Sequence, residues 1–155
     1  MDEEGVTRMI TFTVEPFVGP LPLQFGMTPT EVEAILGPPD RVFPDHFGNM
    51  SESRKHLSIG YSAATGLLIE VVFAPGSQLF FQGQNLFSVS NPIDFLRKSD
   101  PLPQLCVGFV FFLMLGIRLS GFHDHDDMQK AIGVTAKGHW DEFKDDFVPF
   151  GARGG

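Results

Sequence analysis

Apolar positions along this chain fall into short alternating runs separated by Pro, Gly and polar clusters. RMITFTVEP (8–16) alternates and is rich in β-formers, which predicts a first strand stopped by Pro16. HLSIGYS (56–62) and GLLIEVVFA (66–74), joined by Ala63-Ala64-Thr65-Gly66, read as an antiparallel hairpin, and QLFF (78–81) reads as a third strand. Between these, residues 40–56 are polar and irregular, with Phe43, His46 and Phe47 embedded. That predicts a 17-residue loop, longer than most connections in a compact domain.

A helical pattern occupies GMTPTEVEAILGPPD (26–40). Thr28 suits the N-cap and Pro29 the first helical position, and Glu31 stands three residues on, as a capping box requires. Val32, Ile35 and Leu36 form an apolar face; Gly37 suits the C-terminal cap, and Pro38-Pro39 forbid continuation. Asn91-Pro92-Ile93-Asp94 repeats this cap–Pro–x–acid order 63 residues later and predicts a second short helix ending near Ser99-Asp100-Pro101. VGFVFFLM, GIRLSGF and KAIGVTAKGHW follow as three further strand candidates. The continuous apolar VGFVFF is expected to be covered on both faces.

The expected architecture is therefore α+β, with two pseudo-repeats of a short helix followed by a three-stranded antiparallel meander, at about 26–88 and 89–140. They would pack as a single domain over 1–150, with 151–155 as a flexible tail.

Charge narrows the function. The 155 residues carry a formal net charge of −8, which argues against a nucleic-acid surface and favours a basic protein partner. Residues 123–147 hold seven acids against three lysines, a local −4. The single cysteine, Cys106, lies in an apolar run and excludes an intrachain disulfide. The acidic start MDEEGVTRM is unlike a signal peptide. The longest apolar stretch, 105–117, has 13 residues, too few for a spanning helix of about 20. A cytoplasmic protein without a membrane partner is expected.

At FGMTPTEVEAILGPPD the chain resembles the opening of BamE-like (SmpA/OmlA-like) α+β domains. The matching residues are Gly26, Met27, Thr28, Glu31, Val32, Leu36, Gly37 and Pro39, followed by the LSIGYS/LLIEVVFA hairpin. A tandem pair of such units is similar to the layout of β-lactamase-inhibitor-protein-like domains, and the pattern is similar to small bacterial immunity proteins. The resemblance implies a fold and a non-catalytic binding role; the matching residues start and stop a helix.

FHDHDD (122–127) concentrates the chemistry-bearing side chains. His and Asp ligate divalent metals, so a metal-dependent hydrolase centred on 123–127 is one reading. An extended backbone would send His123 and His125 to one side and Asp124 and Asp126 to the other, splitting that ligand set. A structural reading makes Asp126 an N-cap, with Asp127 in the first turn of a short helix DDMQKAI. HWDEFKDDF (139–147) is either a solvated tail with Trp140 and Phe143 packed back on the core, or an acidic, aromatic contact element. No nucleophile elbow, phosphate loop or paired-cysteine motif is present, and no cofactor or catalytic residue is assigned.

The favoured reading is a cytoplasmic immunity protein that occludes a cognate toxin or effector, a nuclease being the case its acidity suggests. Its expected contact residues are Asp124, His125, Asp126, Asp127, Trp140, Asp141, Glu142, Phe143, Asp145, Phe43 and Phe47. A BamE-like assembly module is the other alternative.

Overall fold

The structure is a computed structural model and describes residues 10–45 and 48–151, with the Asp127 side chain excepted. His46 and Phe47, expected on a contact loop, lie outside the described residues.

Thirteen strands form two sheets among the described residues. The first part of the chain gives β1 (Thr11–Glu15), β2 (Gly19–Leu21), helix α1 (Pro29–Leu36), β3 (Arg41–Pro44), β4 (Met50–Arg54), β5 (Leu57–Tyr61) and β6 (Leu68–Phe73). Then come β7 (Gln78–Phe81), β8 (Gln84–Asn85), helix α2 (Pro92–Arg97), β9 (Gln104–Cys106), β10 (Phe109–Phe112), β11 (Ile117–Ser120), β12 (Ala131–Thr135) and β13 (Val148–Pro149). Short 3-10 helices occupy Asp127–Gln129 and Asp141–Asp146.

Two helix-plus-three-strand units are not what forms. Nine strands make one antiparallel sheet in the order β13-β9-β10-β11-β12-β6-β5-β4-β3. A separate sheet, β2-β1-β7-β8, is mixed, because β1 runs parallel to β7. Of the nine strands in the large sheet, four come from the run after α1 (β3–β6) and five from the run after α2 (β9–β13), and the two runs meet where β6 pairs with β12. QLFF, expected as a third meander strand, turns away after Pro75-Gly76 and joins β1 instead.

The expected loop at 40–56 is the β3–β4 hairpin. Its sequence hides the strands because β4, MSESR, lacks apolar alternation. Glu52 and Arg54, which stand where apolar side chains would face the helices, neutralise each other at 2.8 Å. β9 was not anticipated either. It is three residues long and joins β10 through Val107-Gly108, both at positive φ, a two-residue hairpin loop of the kind that matches strand twist.

Both helices start where the local pattern places them. Thr28 Oγ1 accepts the Glu31 N–H and the Glu31 carboxylate accepts the Thr28 N–H, a complete capping box. Asn91 Oδ1 accepts the Asp94 N–H in the same way. Arg54 secures the end of α1, donating through Nε and Nη2 to the Gly37 carbonyl at 3.2 and 2.8 Å. Tyr61 completes this buried group by donating its hydroxyl to Glu52 Oε1 at 3.1 Å; burial, then the Glu52 charge, pushes its phenol above the ordinary range.

One face of the large sheet makes the core. Ile59, Val71, Val134, Ile117 and Phe112 are successive cross-strand partners and all buried. Phe12, Leu79 and Phe81 of the small sheet and Val32, Ile93 and Leu96 of the helices close over them. Phe12 meets Phe73 edge to face at 5.0 Å between the sheets. No helix among the described residues is long and apolar enough to cross a membrane.

Candidate functional site

The opposite face of the large sheet is built differently. Arg41, Ser53, Ser58, Val72, Gly133, Arg118, Phe111 and Gln104 are successive partners from β3 to β9, so they share this face. The adjacent row is Phe43, Ser51, Gly60, Glu70 and Thr135. Aromatic side chains dominate at the β10 end, Ser and Gly at the β4–β5 end, and an ion pair stands between.

That pair is Arg118 and Glu70. Arg118 donates through Nε to Glu70 Oε2 at 2.7 Å, with both side chains largely buried. It spans the whole of β12 to do so, and the residue beneath it is Gly133. A Cβ there would lie 2.9 Å from Arg118 Nε. The guanidinium lies over the Phe109 ring at 4.3 Å and the Trp140 ring at 5.2 Å. His139 Nε2 approaches the other Glu70 oxygen at 3.6 Å. Burial alone would raise the Glu70 carboxyl, but the Arg118 charge and the contacts from His139 outweigh it and hold the group at about 2.

The HWDEFKDDF segment is therefore anchored. Trp140 packs on Phe111 at 5.2 Å and on Phe143 at 5.2 Å, and Phe147 packs on Phe111 at 4.9 Å. These rings cover the outer side of β10, so Phe111 is buried although it points away from the main core. Asp141, Glu142 and Asp145 remain exposed around the ring cluster.

The segment covers only part of the face. Over β4 and β5 the small Ser51, Ser53, Ser58 and Gly60 leave a shallow trough. Its walls are Phe43 on the edge strand and His139, Trp140, Glu142 and Phe143 on the other side. Two hollows line it, about 50 Å³ beside Ser51, Ser58, Glu70 and His139 and about 170 Å³ beside Asn49, Ser62, Ile69 and Phe143. At the rim, Arg41 stacks on the Phe43 ring at 5.1 Å.

The expected contact residues do not form one surface. Phe43, Trp140, Glu142 and Phe143 surround the trough. Asp124, His125 and Asp126 lie in the β11–β12 connection, at the opposite end of β12 from His139 and Trp140, so the two acidic stretches are separated by that strand. FHDHDD is a tight turn. His125 has φ 56°, Asp124 Oδ1 accepts the Asp126 N–H at 3.4 Å, and Asp126 Oδ1 accepts the Met128 N–H at 3.2 Å. The cap on Asp126 is thus present, but the turn it starts lasts three residues and Ala131 already belongs to β12. His123 packs edge-on against Phe150 at 5.7 Å. Among the described residues no three His, Cys, Asp or Glu side chains converge as a metal site.

Glu70, Arg118, Gly133 and His139 carry the geometry and none was singled out from sequence. The available signal was one acid in LLIEVVF and one base in GIRLS, each alone in an apolar strand. Cys106 is buried, and burial followed by the nearby Asp146 charge pushes its thiol up, away from the reactive thiolate.

No known family model matches the chain, and neither a curated protein nor a solved structure shows significant similarity to it.

Proposed function

We propose that the protein is a non-catalytic binder of the immunity type, which seats a protruding basic segment of a toxin or effector in the Ser/Gly trough and so occludes its active site. The observation that supports this reading is the half-covered sheet face. β10 to β12 are sealed by the Trp140 cluster, while β4 and β5 present small polar side chains between two aromatic walls. Aromatic anchors beside a desolvatable hollow are the usual seat of interface energy. Phe43 and Phe143 fill that role, and Glu142 with the net −8 charge steers a basic partner. A standard interface of roughly 1,600 Å² would extend over the rim as well as the trough.

The test is genetic and then physical. A gene beside this one should be toxic when expressed alone and tolerated when this chain is co-expressed. The purified pair should form a complex that Phe43→Ala and Glu142→Lys each weaken by roughly tenfold or more, with the fold unchanged. If neither neighbouring gene is toxic, the immunity reading fails.

A further inference from the structure

On the other side of Trp140 lies a larger hollow that the trough does not use. It occupies about 550 Å³ between the β1–β2 turn, the β10–β11 turn and the start of the 139–147 segment. Four of the ten large hydrophobic side chains exposed among the described residues line it: Phe17, Leu102, Leu113 and Met114. Such gathering of exposed apolar side chains in one concavity marks binding surfaces. Phe17 is held there at φ 64°, a backbone conformation unfavourable for a bulky residue, and its ring lies against Gly116, where a Cβ would be 3.2 Å away.

The polar lining carries two cations. Lys137 and Lys144 are exposed on it, and neither has an ion-pair partner among the described residues. Trp140 forms part of the lining, and its buried Nε1 donates to nothing among the described residues. Asp100 presents no free oxygen to a ligand in the cleft, since it is 2% exposed and its two oxygens accept the Leu102 and Met114 N–H groups. Asp141 is the one exposed acid, placed at the Gly138 end.

We propose that this cleft binds a small amphipathic carboxylate, its apolar body against Phe17, Leu113 and Met114 and its carboxylate at Lys137 and Lys144. A volume of this size lies within the ordinary range of about 300–1,000 Å³ for small-molecule sites. The site is independent of the toxin-binding reading and shares only Trp140 with it.

Trp140 is the only tryptophan of the chain and lines the cleft, so its fluorescence responds to a ligand there, and the lysine variants separate that response from binding in the trough it also borders. Decanoate, kept below its micelle concentration, should change that emission saturably with one-to-one stoichiometry. The Lys137→Ala/Lys144→Ala double variant should bind it at least roughly threefold more weakly, and Asp141→Asn should bind it more tightly. 1-Decanol, with the same chain and no charge, should bind at least roughly threefold more weakly than decanoate. Melting curves of the variants, which change exposed side chains only, control for folding. An absent or non-saturable response to decanoate overturns the proposal. So does a double variant or decanol that falls short of that threefold difference.

Discussion

Arg118 on β11 reaches Glu70 on β6 across the whole width of β12, and the crossing is open only because residue 133 is glycine. With 10% and 14% of their side chains exposed, the two charges depend on each other for compensation. Replacing one partner, as in Arg118→Met or Glu70→Gln, leaves the other buried without its partner and should cost about 3–5 kcal/mol. The double replacement should cost much less than the sum. Urea unfolding of the four proteins measures the coupling, and additive losses would show that the pair contributes nothing as a pair.

Acid should find the same pair. The Glu70 carboxyl is lowered from an ordinary 4.5 to about 2, so the unfolded chain takes up the proton first. Its contribution is fully present above about 4.5 and disappears as pH falls from there through 2, amounting to on the order of 3 kcal/mol. Wild type should therefore lose most of its advantage over Glu70→Gln between pH 6 and pH 2.5. A gap that stays constant over that range contradicts the assignment.

Two glycines on this face make opposite predictions. A Cβ at Gly133 would meet Arg118 Nε, Cγ and Cζ at 2.9–3.1 Å, displacing the guanidinium from Glu70. Gly133→Ala should destabilise by about 1–3 kcal/mol. At Gly60 the nearest atoms are Glu70 O and Cβ at 3.7 and 3.8 Å, ordinary contact. Gly60→Ala should change stability by less than about 0.5 kcal/mol. Equal effects in thermal unfolding would mean that the space under Arg118 is not what matters.

The FHDHDD turn should behave as a turn. Asp126→Ala removes the acceptor for the Met128 N–H and should cost about 0.5–2 kcal/mol. His125→Gly relieves a positive φ in a non-glycine residue and should be neutral or stabilising, whereas a histidine holding a metal could not be deleted without loss. Gly121→Ala should be severe, because its Cβ would lie 2.6 Å from both Asp126 O and Lys130 N. Zinc-dependent stabilisation that His125→Gly abolishes would reinstate the metal reading.

Legibility followed the range of the interactions. Thr28, Glu31, Asn91 and Asp126 cap their turns through contacts two or three residues away, so letters in a row suffice to find them. The hairpin of β5 and β6 and the apolar β10 show in the same way, through alternation and through burial on both faces. β3 and β4 did not, because an ion pair occupies positions where a reader of hydrophobicity looks for apolar side chains.

By itself the sequence determined where helices start, where most strands run, and that an acidic chain with a large aromatic content would fold around an apolar core. Which strands became neighbours was decided by tertiary structure. The pairing of β6 with β12 merges two strand runs into one sheet, and β7 leaves for the small sheet with β1. So too was the candidate site, since Phe43, Ser51, Ser58, Glu70, Arg118 and Trp140 are brought together only by that order of strands. Glu70 and Arg118 stand 48 residues apart, and no local pattern encodes which distant charge a buried carboxylate will meet. The selection comes from the cost of leaving either charge buried alone, a term that exists only once the sheet has closed.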